Sequence, residues 1–282
     1  MQVIRTAEEM REVRRGISGS VALVATLGGI HAGHTAHMDT VRPLYDTVVG
    51  SLFLNPTQFG PDEDLSTYPA DEVADLVEFE KHGVDIVFAP SVDEMYPPAT
   101  TEVPQIDPGP VANVLEGVHR PGHFDGVATV VVRLFSIIIP DMATFGEKDA
   151  QQLRIIQHLN ESLGLGIDII PIPTVREPDG LAISSRNVHL SPVEREAALV
   201  LYRSLMAAKR SWDAGERNGA ALRASMTEVL DREPLAATDY ASIANVDTFQ
   251  EVDHVAKSAR ALVAVNIGKT SQTRLIDNVV LS

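Results

Sequence analysis

The hydrophobic residues in the first half of the chain follow two different spacings. Runs rich in β-branched residues at positions 21–25, 47–54 and 84–90 are typical of strands that are buried on both faces. Between the second and third runs, residues 71–82 carry apolar side chains at helical spacing and stop before Gly83. The apolar positions of this predicted helix are Val73, Leu76, Val77 and Phe79. The order strand, helix, strand predicts βαβ units and a mostly parallel sheet.

The same alternation continues to residue 172. It predicts a helix over 124–139, a short strand over 141–145, a helix after Asp149 and a strand over 167–172. We therefore expect an α/β fold with a Rossmann-like, doubly wound, mostly parallel sheet. Ligands of such sheets bind at the carboxyl ends of the strands.

The pattern changes after a loop at residues 173–187. Ser191-Pro192-Val193-Glu194 predicts a capping box with proline at the first helical position, opening a helix that runs to about Asp213. A second helix is predicted at 217–232. Strand patterns follow at 240–246, 261–267 and 273–281.

Helices followed by neighbouring strands favour a smaller α+β domain. We predict a first domain over residues 1–174 and a second over residues 175–282. The sequence has no low-complexity linker, so we expect the two domains to pack closely and leave a cleft.

The charge of the chain narrows the classes of partner. The 282 residues include 39 Asp and Glu against 23 Lys and Arg, for a net charge of −16 with neutral histidines. Residues 61–80 alone hold eight acids and no Lys or Arg. Nucleic acids and anionic membranes carry the same sign of charge, so we expect neither as a partner. Any phosphate must be held by a local group of donors.

The cysteine count and the N-terminal pattern bear on the chemistry and the compartment. Without cysteine the chain has no disulfide framework, thiolate nucleophile or thiolate metal site. The first 15 residues carry charges where a signal peptide needs an apolar core, and no apolar run approaches about 18 residues. We expect a cytoplasmic protein.

A glycine-rich turn follows the first predicted strand of the sheet. Residues 26–34 read Thr-Leu-Gly-Gly-Ile-His-Ala-Gly-His and lead into a helical pattern. Glycines let backbone N–H groups approach a ligand, and a helix start favours anions. His31 and His34 can donate to phosphate oxygens, most usefully where charge builds up in a transition state. We interpret the turn as a nucleotide-phosphate site.

Two alternatives to a phosphate site remain for this turn, and the second is the weaker. The segment is also consistent with a glycine-rich turn that carries two surface histidines. A metal site of His31, His34 and His37 is disfavoured, because HExxH-type sites need histidines four residues apart and a catalytic Glu, whereas position 32 is Ala.

Several further blocks share their order and spacing with one enzyme family. The His-x-Gly-His of residues 31–34 resembles the signature of the nucleotidylyltransferase superfamily. The remaining blocks lie at 53–60 (Phe-Leu-Asn-Pro-Thr-Gln-Phe-Gly), 88–97, 115–117, 120–124, 145–149 with Gln151 and Gln152, 173–177 and 184–187. From about residue 21 to 195 the chain resembles the AMP-forming pantoate–β-alanine ligases.

The resemblance implies an acyl-adenylate mechanism. ATP would activate the carboxylate of pantoate with loss of pyrophosphate, and the amine of β-alanine would then displace AMP to give pantothenate. Mg²⁺ is implied as the companion of ATP, held by phosphate oxygens and water rather than by dedicated protein ligands. A homodimer is implied by the resemblance alone.

The resemblance also implies roles for individual residues. It places pantoate on Gln58 and Gln152, with Gln58 also near β-alanine, and the second domain over ATP. Catalytic contributions are implied for His31, His34, Lys148, Ser184, Ser185 and Arg186. ATP contacts are implied for Leu27, Gly28, Gly29, Ile30, His31, Ala32, Gly33, His34, Gly146, Glu147, Lys148, Asp149, Val175, Ile183, Ser184, Ser185 and Arg186. His34 is a proton donor by analogy; we interpret it as a hydrogen-bond donor to phosphate, which does the same work without proton transfer.

Asp75 is a possible further partner of this site, although a solvated residue on a polar helix face is the simpler interpretation. The chain departs from the usual family residues at Ala25, Leu27, Ala32, Thr57 and Ile183. None of these changes removes a charged or donating group assigned to phosphate, so we predict an active enzyme. The groups expected to meet phosphate come from separate segments and are His31, His34, His123, Lys148 and Arg186.

Two rival functions remain. One is an enzyme that transfers AMP or CMP to a phosphorylated acceptor; the other is a catalytically silent nucleotide-binding protein.

Overall fold

The computed structural model describes residues 1–61, 63–97, 105–269 and 272–282. Asp62, one of the eight acids of residues 61–80, lies outside the described residues. The chain divides into two compact units. The first comprises Met1–Ala112, Arg120–Glu147 and Gln152–Pro173, and the second comprises Asn113–His119, Lys148–Gln151 and Thr174–Ser282. The predicted domain ranges 1–174 and 175–282 stay a prediction.

Strands and helices are numbered in chain order. The strands are β1 (Gln2–Ile4), β2 (Val21–Thr26), β3 (Thr47–Leu52), β4 (Ile86–Phe88), β5 (Met142–Gly146), β6 (Asp168–Ile172), β7 (Ala236–Ala244), β8 (Ala259–Ile267) and β9 (Thr273–Leu281). The α-helices are α1 (Ala7–Gly16), α2 (Ala32–Val41), α3 (Glu72–Lys81), α4 (Val92–Met95), α5 (Glu116–His119), α6 (His123–Ile138), α7 (Ala150–Ser162), α8 (Pro192–Ala197), α9 (Leu199–Asp213) and α10 (Gly219–Leu230).

In the described part of the first unit, β1 to β6 form a six-stranded sheet in the order β1-β4-β3-β2-β5-β6, and every pair is parallel. The central strands are buried on both faces, as their continuous apolar runs predict. The chain moves outward from β2 through β3 to β4 and then returns to β5 on the other side of β2. This reversal places the topological switch point between β2 and β5.

Helix α6 is largely buried and packs closely on the loop after β3. A Cβ atom added to Gly126 would lie 2.4 Å from the carbonyl oxygen of Thr57, so a larger residue has no room there. The helix ends at Ile138 and is capped by Ile139, whose φ of 48° is left-handed. The predicted helix at 124–139 is confirmed within one residue.

The structure corrects the sequence analysis at the N-terminus. Strand β1 and helix α1 were not predicted, because the charged residues of α1 outnumber its buried Ala7 and Met10. The usable signal was Thr6, whose side chain accepts a hydrogen bond from the N–H of Glu9 (3.3 Å) and caps the helix.

Two helix predictions also need correction. Helix α3 buries Phe79 but leaves Val73 75% and Val77 58% exposed, so its apolar spacing overstated the buried face. The single helix predicted from Ser191 to about Asp213 is interrupted at Ala198 and forms α8 and α9. Its predicted capping box between Ser191 and Glu194 is present.

The second unit combines α9 and α10 with an antiparallel sheet. Over residues 236–269 and 272–282 this sheet has three strands in the order β7-β8-β9. Its apolar face packs on the two helices around Leu205, Met226 and Val263. The predicted fold class, a parallel α/β sheet with a smaller α+β part, is confirmed.

Segment 113–119 joins the second unit through a buried acid. Arg274 on β9 donates two hydrogen bonds to the carboxylate of Glu116 (2.7 and 2.8 Å), and the hydroxyl of Tyr240 donates a third (2.8 Å). Glu116 is 4% exposed. Burial raises the pKa of Tyr240 well above its ordinary value, and the negative charge of Glu116 adds to the rise.

Within the described ranges, no helix is both long enough and apolar enough to cross a bilayer.

Candidate functional site

The strand order brings the predicted phosphate-binding segments of the first unit to one edge of the sheet. The turn at residues 27–31 follows β2, and Gly146 ends β5, so both lie at the switch point. A Cβ atom at Gly146 would be 3.6 Å from Nε2 of His37, which places the end of β5 beside α2. The two segments were linked only by resemblance in the sequence and are neighbours in the fold.

The turn after β2 is held by a buried carboxylate. Asp75 is 3% exposed, and its Oδ2 and Oδ1 accept hydrogen bonds from the backbone N–H groups of Gly29 (3.0 Å) and Ile30 (2.7 Å). Gly28 adopts a φ of 103°, and a Cβ atom there would lie 2.9 Å from Asp75 Oδ2. The simpler interpretation of Asp75 as a solvated residue is therefore wrong.

His31 and His34 close the same turn as a capping pair. Helix α2 begins at Ala32, and Nδ1 of His31 accepts a hydrogen bond from the N–H of Gly33 (3.1 Å). Nδ1 of His34 accepts from the N–H of His31 (3.4 Å), and the two rings stack with centroids 4.0 Å apart. Because each Nδ1 accepts, each neutral ring carries its proton on Nε2. Both rings are therefore set as Nε2–H donors.

His37 is oriented differently from the other two histidines. Its Nδ1 lies 2.9 Å from the hydroxyl oxygen of Thr144 on β5. In the residues that the structure describes, no group of three or more His, Cys, Asp or Glu is arranged to hold a metal ion.

The loop after β3 orients Gln58. Asn55 is fully buried, and its Nδ2 donates to Oε1 of Gln58 (3.1 Å), which makes Nε2 the donor end of the glutamine. Oδ1 of Asn55 accepts from the hydroxyls of Tyr96 (2.8 Å) and Thr57 (2.9 Å). The hydroxyl of Thr57, one of the family departures, is thus engaged inside this loop.

His123 and Arg120 support the same loop from α6 and the residues before it. His123 donates from Nδ1 to the carbonyl oxygen of Gln58 (2.8 Å), and Arg120 donates to His123 Nε2 (3.1 Å). Arg120 also binds both carboxylate oxygens of Glu63 (2.7 and 2.6 Å). Burial raises the pKa of Glu63, but the hydrogen bonds and charge of Arg120 outweigh it, so the net shift is downward. The expected contact of His123 with phosphate stays a prediction.

Lys148 belongs to the second unit. It lies in a 3-10 helix (Glu147–Asp149) after β5, its side chain is 20% exposed, and its Nζ is 3.5 Å from Asp149 Oδ1. The neighbouring Gln151 is buried; it accepts from the N–H of Glu116 (3.2 Å) and donates to the carbonyl oxygen of Val114 (2.8 Å). Gln152, the predicted pantoate ligand, is half-buried and begins the last stretch of the first unit.

Residues 175–186 are also part of the second unit. The N–H of Ile183 donates to the carbonyl oxygen of Val175 (3.0 Å), which joins two predicted ATP contacts. Ser184 caps a 3-10 helix (Ser185–His189) by accepting from the N–H of Arg186 (3.3 Å). The turn between Val175 and Ile183 includes Gly180, where a Cβ atom would lie 2.1 Å from the Tyr202 ring.

The predicted site residues therefore form two groups, one in each unit. The group of the first unit comprises residues 27–34, Gln58, Gly146, Glu147 and Gln152; that of the second comprises Lys148, Asp149, Val175, Ile183, Ser184, Ser185 and Arg186.

A family model described as pantoate–β-alanine ligase matches residues 2–280. The chain belongs to this family. Its sequence is 52% identical to the pantothenate synthetase of Roseiflexus castenholzii, over all of this chain and 99% of that protein. The crystal structure of the pantothenate synthetase of Thermus thermophilus is 42% identical and superposes with a TM-score of 0.91, covering 99% of each chain.

A third relative was crystallised with ligands. The pantoate–β-alanine ligase of Francisella tularensis, in complex with β-γ ATP and β-alanine, is 32% identical, with a TM-score of 0.81 over 99% of this chain and 97% of that one. The predicted family and enzyme class are thereby confirmed. The roles of individual site residues stay predictions.

Sequence reasoning missed several residues that orient the site of this ligase. Asn55 lay inside a recognised block, where its position directly before proline was a signal for a buried cap. Asp277 gave a weaker signal, as the single acid in a strand pattern, and Asp75, one of five acids in residues 71–80, was named only as a possible partner. Only contacts between residues distant in sequence distinguish them from solvated acids.

Proposed function

We propose that this chain condenses pantoate with β-alanine at the expense of ATP, giving pantothenate, AMP and pyrophosphate. The observation that carries the proposal is the turn after β2, in which Asp75 holds the backbone and the capping bonds of His31 and His34 leave each Nε2–H as the donor end of its ring, at the switch point of the sheet. Membership of the pantoate–β-alanine ligase family supplies the substrates. The Francisella tularensis relative, crystallised with β-γ ATP and β-alanine, supports both ligands for this chain.

The first step activates a carboxylate. An oxygen of pantoate attacks the α-phosphorus of ATP, the bond from that phosphorus to the bridging oxygen breaks, and pyrophosphate leaves with the bond electrons. Negative charge builds up on phosphate oxygens, where the Nε2–H groups of His31 and His34 can donate. We assign Lys148, Ser184, Ser185 and Arg186 to the same phosphates. His34 acts as a hydrogen-bond donor in this assignment and transfers no proton.

The second step forms the amide. The neutral amine of β-alanine attacks the carbonyl carbon of the acyl-adenylate, the carbon–oxygen bond to phosphate breaks, and AMP leaves as the amine loses a proton. Gln58 and Gln152 bind pantoate through amide groups that both donate and accept, which suits hydroxyls and a carboxylate. Gln58 Nε2, oriented by Asn55, is the donor best defined for this task.

Mg²⁺ enters this scheme with ATP. Asp75 accepts two backbone N–H bonds and Asp149 pairs with Lys148, so these acids near the predicted ATP contacts are already engaged. We therefore assign the ion to phosphate oxygens and water. When bound, the ion neutralises negative charge on the phosphates of ATP.

We also propose that the protein is a homodimer and that it is cytoplasmic. Light scattering tests the first and cell fractionation tests the second.

The deciding experiment is exchange of labelled pyrophosphate into ATP, measured with and without pantoate, followed by AMP release on addition of β-alanine. The proposal requires exchange that depends on pantoate and AMP release that depends on the amine. Exchange that ignores pantoate would refute it. A dinucleotide-like product with a phosphorylated acceptor would favour the nucleotidyl-transfer alternative, and ATP binding without exchange would favour the silent binding protein.

A further inference from the structure

Strand β9 carries two consecutive buried polar residues. Asp277 is 4% and Asn278 is 5% exposed, although neighbouring residues of a strand point to opposite faces. Buried polar groups need partners, so each residue must have a defined task. The partners of both lead to segments that carry predicted ATP contacts.

Asn278 holds the backbone at Lys148. Its Nδ2 donates to the carbonyl oxygen of Lys148 at 2.9 Å. Arg260 on the adjacent β8 donates to Oδ1 of Asn278, so the amide is oriented with Nδ2 toward Lys148. The bond joins residues 130 positions apart and fixes the main chain from which the Lys148 side chain projects.

Asp277 holds the other segment. Arg176 donates to both of its carboxylate oxygens (2.6 and 2.9 Å) and also to the carbonyl oxygens of Gly180 (3.0 Å) and Asn278 (3.3 Å). The N–H of Asn278 donates to Asp277 Oδ1 (2.8 Å), which ties the two arms together. Two neighbouring residues of one strand thus restrain Lys148 and the turn that leads to residues 183–186.

We propose that Asn278 is a positioning residue for adenylation, which keeps Lys148 placed on the triphosphate while Asp277 and Arg176 keep residues 183–186 in place. This inference rests on the proposed function and on the role assigned there to Lys148. Its physical basis is the strict geometry of phosphoryl transfer, in which a misplacement of about 1 Å can cost about a hundredfold in rate.

The electrostatics of Asp277 agree with this arrangement. Burial raises the pKa of Asp277 above its ordinary value; the hydrogen bonds and charge of Arg176, and further the positive charge of Lys148, oppose this rise without cancelling it.

The test compares Asn278→Asp and Asn278→Ala with Asn218→Ala in pantoate-dependent exchange. Asp matches Asn in size and keeps an oxygen for Arg260, but turns an acceptor toward the carbonyl oxygen of Lys148. We expect both Asn278 variants to lower kcat about tenfold per folded molecule, with the KM for pantoate unchanged. Asn218 caps α10 through the N–H of Ala221, so its variant controls for the loss of a bond between side chain and backbone and should exchange at the wild-type rate.

A double-mutant cycle with Lys148→Ala separates positioning from general destabilisation. If Asn278 acts through Lys148, adding Asn278→Ala to Lys148→Ala changes the rate less than about twofold. Full additivity, or wild-type kcat in both Asn278 variants, would overturn the inference. If Asn278→Ala does not fold, Asn278→Ser replaces it in the cycle.

The same data separate this inference from the proposed function. Loss of pantoate dependence in the wild type refutes the function. A wild-type rate in Lys148→Ala refutes the role of Lys148 and the inference with it. A slow Lys148→Ala beside normal Asn278 variants refutes the inference alone.

Discussion

The two groups of predicted phosphate donors are built in opposite ways. In the first unit, His31 and His34 are fixed by hydrogen bonds within four residues of sequence, and one distant carboxylate, Asp75, completes the turn. In the second unit, Lys148 and the turn after Arg176 are restrained from β9, across 130 and 101 positions of sequence.

This difference decides where a sequence motif alone predicts the geometry of a site. A helix cap defines its donors locally, so the motif and the geometry coincide. A loop restrained from another strand has donors whose placement depends on tertiary contacts, and its motif alone does not specify geometry. Substitutions at the distant anchors should therefore separate the two groups.

The largest effect is expected at Asp277, the buried acid of β9 that holds Arg176 in the second unit. Asp277→Ala leaves the Arg176 guanidinium without its carboxylate and should lower the free energy of unfolding by about 3–5 kcal/mol. Urea denaturation followed by circular dichroism measures it. Asp179→Ala, which removes an exposed partner of Arg195, is the control and should change little. Equal, small effects of the two variants would show that β9 is not a structural anchor.

The corresponding anchor of the first group is Asp75. Asp75→Asn removes the charge that accepts from the N–H groups of Gly29 and Ile30, and should slow pantoate-dependent exchange about 30-fold, as for the loss of charge-assisted hydrogen bonds worth about 2 kcal/mol. Asp71→Asn is a matched control on the same helix, because asparagine also serves as an N-cap. An unaltered rate in the Asp75 variant would mean that the local cap suffices.

Single donors should matter less than an anchor that places several of them. His34→Ala and Lys148→Ala are each expected to slow adenylation by at least about tenfold, the order expected for one transition-state hydrogen bond. Single-turnover formation of the acyl-adenylate measures this step, with His254→Ala and Lys81→Ala as surface controls. Rates near wild type in both site variants would contradict the assignments.

The smallest effect concerns pH and the Glu63–Arg120 pair of the first unit. Arg120 lowers the pKa of Glu63 against the opposing effect of burial, so the unfolded chain binds its proton at higher pH than the folded chain does. The pair thus stabilises above the unfolded pKa of about 4.3, and this contribution is lost as the pH falls through the lower folded value. Between about pH 5 and pH 3, we expect the free energy of unfolding of Glu63→Gln to fall less than that of the wild type, by a difference under about 1 kcal/mol.

Denaturation curves at several pH values provide the measurement. Glu12→Gln, on the exposed face of α1, serves as the comparison. Parallel curves for wild type and Glu63→Gln would argue against the pair.

The sequence predicted the architecture well because the signals are local. Continuous apolar runs specified β2, β3 and β5, and the capping box at Ser191 marked the start of α8. It missed α1 because buried Ala7 and Met10 are few among charges, and it overrated Val73 and Val77, whose spacing is helical although they face outward. Periodicity reports a possible buried face, whereas the tertiary partner decides which residues are covered.

The candidate site was predicted in part for the same reason. His31 and Gln58 stand in compact motifs. Their supports, Asp75 and Asn55, act through contacts that spacing does not encode, and Asn278 is 130 positions from the residue it holds.

The pairing of Glu116 with Arg274 limits how this chain can be recombined with its relatives. A chimera that switches parents once, at residue 174, would inherit the acid from one parent and the arginine from the other. If the parents differ in the residues around Glu116 or Arg274, the chimera would pair an acid and an arginine whose surroundings do not match. A disturbed buried ion pair lowers the stability of the fold. The second unit is discontinuous in sequence, so a working chimera would have to exchange its three segments together: Asn113–His119, Lys148–Gln151 and Thr174–Ser282.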